Sequence, residues 1–394
     1  MKALLKLLAV AVAVALPAAS LAEEAAAPSV KVTPYGFVQL SAFFDANTFA
    51  AKDYPATASK AQDGGSFLMS ARYSRFGVKL AVDDATNWTG AKLGGGIEFD
   101  FKAGHLGTTS TTWYNGVMRL RLAYATADWK TGYGTWQVLA GQNYGIVAPL
   151  FATSITWTAD PIFWQAGNAW RRAPQARLTY TGGADMLGFN AALAVLSPQT
   201  ADGTSPDFGS GNRSRMPSIE GRVGINTKLE PVSIAAGFGY LTGKRRLGAS
   251  PNTVDTDTTL MAADVSLGSK WVDVKGEWFS NKGAGDTYNT ITPGNHGAAN
   301  AEGESTGFWA QGVIKPIPEL SVTVGYGNEK VDSATAADLA ATARKDNTQL
   351  AGGLIVNAGK FWKFGVEVCQ TTTKYQDDVK QDALQVAVSS MLTF

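Results

Sequence analysis

Two arginines one residue apart, Arg119 and Arg121 in the run NGVMRLRLAY, have the types and spacing to do chemistry. A guanidinium is permanently charged and offers a planar fork of donors, so a pair on one face can grip carboxylates through charge-assisted, often bidentate bonds. On a helix the two would point about 200° apart at 3.6 residues per turn. On a strand they share a face, opposite Met118, Leu120, Leu122 and Tyr124. Arg75, Lys79, Arg177 and Arg222 sit on the matching face of other alternating segments, as do the acidic residues Glu98, Asp100, Asp264, Asp273 and Glu277. Catalysis is poorly supplied. His105 and His296 are the only two histidines, both in expected external loops, and the single cysteine, Cys369, excludes an internal disulfide or a thiolate metal cluster.

What must position these residues is a period of two. Apolar residues recur at every second position for about ten residues, then break, and sixteen such segments follow one another, from 35–45 and 66–82 to 361–371 and 383–394. Very short connections such as Ser269-Lys270 alternate with long polar ones. One face of each segment is nearly free of charge: Leu93, Ile97, Phe99 and Phe101 stand against Glu98, Asp100 and Lys102, and Val272, Val274 and Trp278 stand against Asp273, Lys275 and Glu277. Arg72, Asp128 and Arg172 break the rule, each toward a segment end.

A soluble sandwich would also alternate, so the aromatic residues decide. Trp136, Phe189 and Trp362 lie on the apolar face near the short connections, and Tyr240, Trp278 and Tyr326 lie on it near the long ones. Two aromatic girdles bounding an aliphatic band suit the two interfaces of a membrane. The expected fold is therefore all-β: a sixteen-stranded antiparallel transmembrane β-barrel with short periplasmic turns and long external loops. An arginine aimed at lipid near the midplane would cost roughly 2–4 kcal/mol, so Arg119 and Arg121 are expected in a water-filled lumen.

The amino terminus reads as an export signal. Lys2 and Lys6 precede the apolar run Leu7 to Leu16, and Ser20 and Ala22 form a small-x-small cleavage site. Residues 1–22 are expected to be removed, 23–32 to form a short lead and 33–394 the barrel. Removal takes the formal charge from +1 to −1, and the basic residues are dispersed, so a nucleic-acid partner is not expected. No later run of 18 or more apolar residues offers a spanning helix.

The segments SRFGVKL (74–80), GGIEFDF (95–101), RLRLAY (119–124) and VLAGQNYG (138–145), with the terminal Phe394, resemble the general porins of Gram-negative bacteria. The pattern is most similar to DcaP-like porins, trimeric channels for dicarboxylates and related organic anions. This resemblance implies a homotrimer in the outer membrane, in contact with lipid and lipopolysaccharide, with Phe394 as the assembly signal read by the barrel insertion machinery. It implies that the basic residues form an arc on one wall, and that the third long loop, Tyr144 to Arg171, folds inward as a constriction. That loop holds Trp157, Trp164 and Trp170, a single acid, Asp160, and Arg171 at its exit. The expected function is passive diffusion of small hydrophilic solutes, preferably anions, without a cofactor or a chemical step. Its aromatic rings could instead stack on sugars, and a structural or adhesive barrel is the third possibility.

Overall fold

The computed structural model describes residues 29–83, 89–104, 116–184, 186–203, 209–248, 251–297 and 300–394. The expected export signal, most of the expected lead and His105 lie outside them. Sixteen strands form the wall. They are β1 (Ser29–Asp45), β2 (Ser66–Ser70 continued by Arg75–Asp83), β3 (Lys92–Asp100), β4 (Arg119–Thr131), β5 (Gly134–Tyr144), β6 (Arg172–Ala184), β7 (Leu187–Leu196) and β8 (Ser218–Leu229). The others are β9 (Val232–Leu247), β10 (Val254–Gly268), β11 (Val272–Lys282), β12 (Glu304–Ile317), β13 (Leu320–Val331), β14 (Arg344–Ala358), β15 (Trp362–Tyr375) and β16 (Lys380–Thr393). Each pairs antiparallel with the next, and β16 pairs with β1 to close the ring. Closure removes the unpaired edge that an open sheet would expose.

The alternation behaves as the period of two requires. Val38, Leu40, Phe44, Val223, Val265 and Leu354 point outward and are exposed, as are all six aromatic residues of the two girdles. An apolar surface of this extent has no counterpart on a water-soluble monomer. Phe394 closes the seam: its N–H donates to the carbonyl of Gly36 at 3.1 Å, and its carbonyl accepts from Gly36 N–H at 3.2 Å. β1 starts at Ser29, inside the expected lead, because Val30 and Val32 continue the outward row and pair beside Val82 and Leu80. The loop ends differ more. β9, β10, β15 and β16, expected at 231–241, 259–268, 361–371 and 383–394, run past those limits at their loop ends, which leaves short connections at 248–253 and 376–379.

The three charges that break the apolar face do not reach lipid at all. β2 is interrupted between Ser70 and Arg75, and Arg72 turns inward to Asp53, with Nε at 3.2 Å and Nη2 at 2.5 Å from Oδ2. β4 carries a bulge: Asp100 pairs with Arg119 and Phe99 with Leu120, but Glu98 pairs with Leu122, so Arg121 is an extra residue. One added residue exchanges the faces beyond it. Asp128 therefore faces inward, where Gln137 Nε2 donates to it at 2.8 Å. Tyr124, expected outside, borders an inner recess beside Lys79 and Arg177. Gln142 Nε2 donates to the carbonyls of Leu120 and Arg121, at 3.1 and 3.2 Å, and so satisfies the disturbed ladder. Arg172, at the loop end of β6, lies over the rings of Tyr144 and Trp170, 5.6 and 5.2 Å from their centroids.

Gly141 faces the bulged stretch. Its φ is +131°, and an added Cβ would overlap the carbonyl oxygen of Ala123. Gly141→Ala is expected to cost more than the roughly 1–3 kcal/mol of backbone strain alone, because the β4–β5 contact must also spread. The check is the fraction of protein that refolds into a compact, heat-modifiable band on a detergent gel.

Candidate functional site: an annular loop inside the barrel

The inward faces of the strands carry polar side chains that reach past the wall and hold the loop 145–171. Glu220 on β8 accepts from Ile146 N–H at 2.7 Å, and Glu277 on β11 accepts from Leu150 N–H at 3.2 Å. Gln311 on β12 accepts from Thr153 N–H at 2.6 Å. Glu367 on β15 accepts from Thr156 N–H at 2.7 Å, Ile155 N–H at 3.2 Å and Ser154 Oγ at 2.9 Å. Gln39 on β1 donates to the Thr156 carbonyl at 2.7 Å, Arg75 on β2 donates to that of Thr158, and Arg121 on β4 donates to that of Ala159 at 2.9 Å. Followed in sequence, residues 146–159 meet the wall in the order β8, β11, β12, β15, β1, β2, β4. The loop makes a circuit of the interior.

Arg121 closes that circuit. Its Nη2 donates to Tyr144 Oη at 2.7 Å, where the loop departs, while its Nη1 holds Ala159, where the loop returns. Its Nε donates to Glu98 and its Nη1 to Asp100, both at 2.7 Å. The side chain is 1 % exposed. Arg119 forms a fork on Asp100, at 2.9 and 2.7 Å, and lies 3.5 Å from Asp160. Asp160 also pairs with Lys102 at 2.8 Å. Burial pushes the Asp160 carboxyl upward, but Lys102 and Arg119 overcome it and hold the group below the usual carboxylate range. Arg121, Glu98 and Asp100 were expected to line open water. They lie instead under the loop, because a long carbonyl-rich segment offers buried guanidinium groups the acceptors that they need.

After Asp160 the chain recrosses the interior. Phe163 stacks on Trp309 of β12 at 5.9 Å, and fits because Gly325 and Gly327 face inward on β13, where a Cβ would lie 2.8 and 2.9 Å from its ring. Gly167 touches β12 with a φ of +105°, and a Cβ added there would overlap the Phe308 carbonyl, so the contact admits no side chain. Trp157 is buried with Nε1 donating to Gln385 at 3.2 Å, Trp164 packs on Tyr54 at 5.2 Å, and Trp170 N–H donates to the Tyr288 carbonyl. Arg171 pairs with Glu220 at 3.2 Å.

No family model matches the sequence, and no curated protein matches it. Solved structures do match. The outer membrane channel DcaP of Acinetobacter baumannii aligns with a TM-score of 0.70 at 19 % identity, over 93 % of this chain and 97 % of that one. The barrel has the porin fold. An anion-selective porin from Comamonas acidovorans aligns at 0.59 and 14 % identity, over 93 % and 100 %. OmpT of Vibrio cholerae, in a trimer form, aligns at 0.56 and 11 % identity, over 93 % and 100 %.

Within this porin fold the remaining charged residues divide in two. Arg222 crosses over Gly237 of β9 to make a fork on Asp264 of β10, at 2.6 and 2.9 Å. The glycine between them lets the guanidinium through. Asp273 pairs with Lys315 at 2.8 Å near the turn end. Lys79, Lys92 and Arg177, by contrast, form no ion pair with any described residue, and they border one recess of about 430 Å³. Lys79 Nζ lies 5.1 Å from the ring centroid of Tyr35. Asp255 and Asp257 pair with Arg246 and Lys244, both at 2.7 Å. His296 Nδ1 lies 3.2 Å from Asp338. Sequence reasoning missed Glu220, Glu367, Gln39 and Gln311 as loop anchors. Their inward parity was legible, but their partners are backbone amides.

Proposed function

We propose that this protein is an outer-membrane diffusion channel for small hydrophilic solutes, with a preference for anions such as dicarboxylates. The observation that carries the channel reading is a closed barrel with an apolar, aromatic-girdled outside around a polar interior. Such an exterior is stable in hydrocarbon, and a barrel of this strand number is wide enough to hold an aqueous path. A loop bonded round the wall narrows that path without needing a catalytic group, so no chemical step or cofactor enters.

The anion preference rests on the recess where Lys79, Lys92 and Arg177 form no ion pair with a described residue and Asp128 supplies one negative charge. Unneutralised lumen cations concentrate anions. Arg119 and Arg121, engaged by Glu98, Asp100 and the loop, contribute less of this field than their charge suggests. The likeness to proteins described as an outer membrane channel and an anion-selective porin supports the reading. Export by residues 1–22, insertion guided by the terminal strand with Phe394, contact with lipopolysaccharide and a homotrimer complete the proposal. Replacing Lys79 and Arg177 together with serine is expected to lower the anion-to-cation permeability ratio severalfold, while Lys315→Ser at the turn end shifts it little. Reversal potentials in a KCl gradient check this, and an unchanged ratio places the filter elsewhere.

A further inference from the structure

The first long connection, residues 46–65, carries no motif that marks it in sequence, yet a short hairpin of Phe49–Ala51 and Tyr54–Ala58 forms within it. All five residues of Tyr54–Ala58 are buried. Inward-facing side chains of β14 and β15 hold them. Gln349 Nε2 and Thr371 Oγ1 donate to the Pro55 carbonyl at 2.5 and 2.8 Å, and Asn347 Nδ2 donates to that of Ala56 at 2.8 Å. Ala58 N–H donates to Thr373 Oγ1 at 2.9 Å, and its carbonyl accepts from Tyr375 Oη at 2.7 Å. Tyr54 Oη donates to the carbonyl of Pro161 in the annular loop. Tyr54 and Ala56 share an apolar cluster with Trp157, Phe163, Trp309 and Cys369. An apolar cluster of this size excludes water and seals the space that it fills.

We infer that Tyr54–Ala58 is a second constriction element, which with residues 157–163 closes the sector of the lumen beside β14, β15, β16 and β1 and confines solutes to the side of β4–β8. The consequence for conductance rests on the channel reading above; the packing does not. Wall residues under the plug are fully covered: Gln349, Thr371, Gln385 and Cys369 are all 0 % exposed. Cys369 Sγ lies 3.7 Å from Thr371 Oγ1, which is bonded to Pro55, so the native thiol reports whether the plug is seated.

The experiment uses a small charged methanethiosulfonate on the folded, detergent-solubilised protein, beside bilayer recordings. Cys369 is expected to stay unlabelled in the native chain. It should label readily when residues 52–60 are replaced by a short Gly-Ser linker, with single-channel conductance rising about twofold as the sealed sector opens. Tyr54→Phe, which removes only the hydroxyl bonded to Pro161, should speed labelling severalfold and serves if the shortened chain fails to fold. Rapid labelling of the native protein, or no gain in labelling in either folded variant, overturns the inference. Predicted labelling in a barrel that never conducts would keep the plug and remove the channel reading.

Discussion

Arg121→Ala is expected to unclasp the annular loop. The guanidinium is 1 % exposed and joins the loop's departure at Tyr144 to its return at Ala159 while neutralising Glu98 and Asp100. Removing one member of a buried ion pair strands the others, at about 3–5 kcal/mol. That cost falls on loop docking more than on the wall, whose backbone ladder is intact without it, and raises the undocked population by roughly two to three and a half orders of magnitude at 1.4 kcal/mol per tenfold. Protease cleavage within 145–171 and frequent conductance fluctuations are the readouts. Arg121→Lys keeps the charge but not the fork, so it should fall between. Native-like cleavage resistance and quiet currents in Arg121→Ala would mean that the loop is held by its other contacts alone.

Glu367→Ala is the second large effect. One carboxylate accepts from Thr156 N–H, Ile155 N–H and Ser154 Oγ, and hydrogen bonds to a charged group contribute about 1.5–3 kcal/mol each. Their loss also leaves buried amide donors unpaired, so the loop should release beside β15. Glu367→Gln retains an acceptor oxygen without the charge, and its effect should be clearly smaller. The same protease and noise measurements apply; equal effects of Ala and Gln would show that charge, not acceptor geometry, anchors this stretch.

Much of the fold was legible because a strand's period of two is unforgiving. A nearly charge-free face in sixteen segments, bounded by Trp136, Phe189 and Trp362 at one end and Tyr240, Trp278 and Tyr326 at the other, admits few arrangements besides a lipid-facing barrel. The exceptions Arg72 and Asp128 misled for a definable reason. A strand break and a one-residue bulge at Arg121 each reset the period locally, and neither leaves a mark in composition. Arg119 and Arg121 point inward, but their burial was not foreseeable. It depends on the carbonyl of Ala159, which any sequence would supply, reaching the wall after a circuit of the barrel. The plug of Tyr54–Ala58 is hidden for the same reason, since its wall partners on β14 and β15 bond to backbone atoms hundreds of residues away in the chain.

The most direct test of the channel itself is single-channel recording of the purified native protein in a planar bilayer with a KCl gradient. Stepwise, long-lived openings with a reversal potential displaced toward that of chloride are predicted. Folded, inserted protein that gives no steps, or whose reversal potential lies toward that of potassium, would contradict the proposed anion-preferring pore.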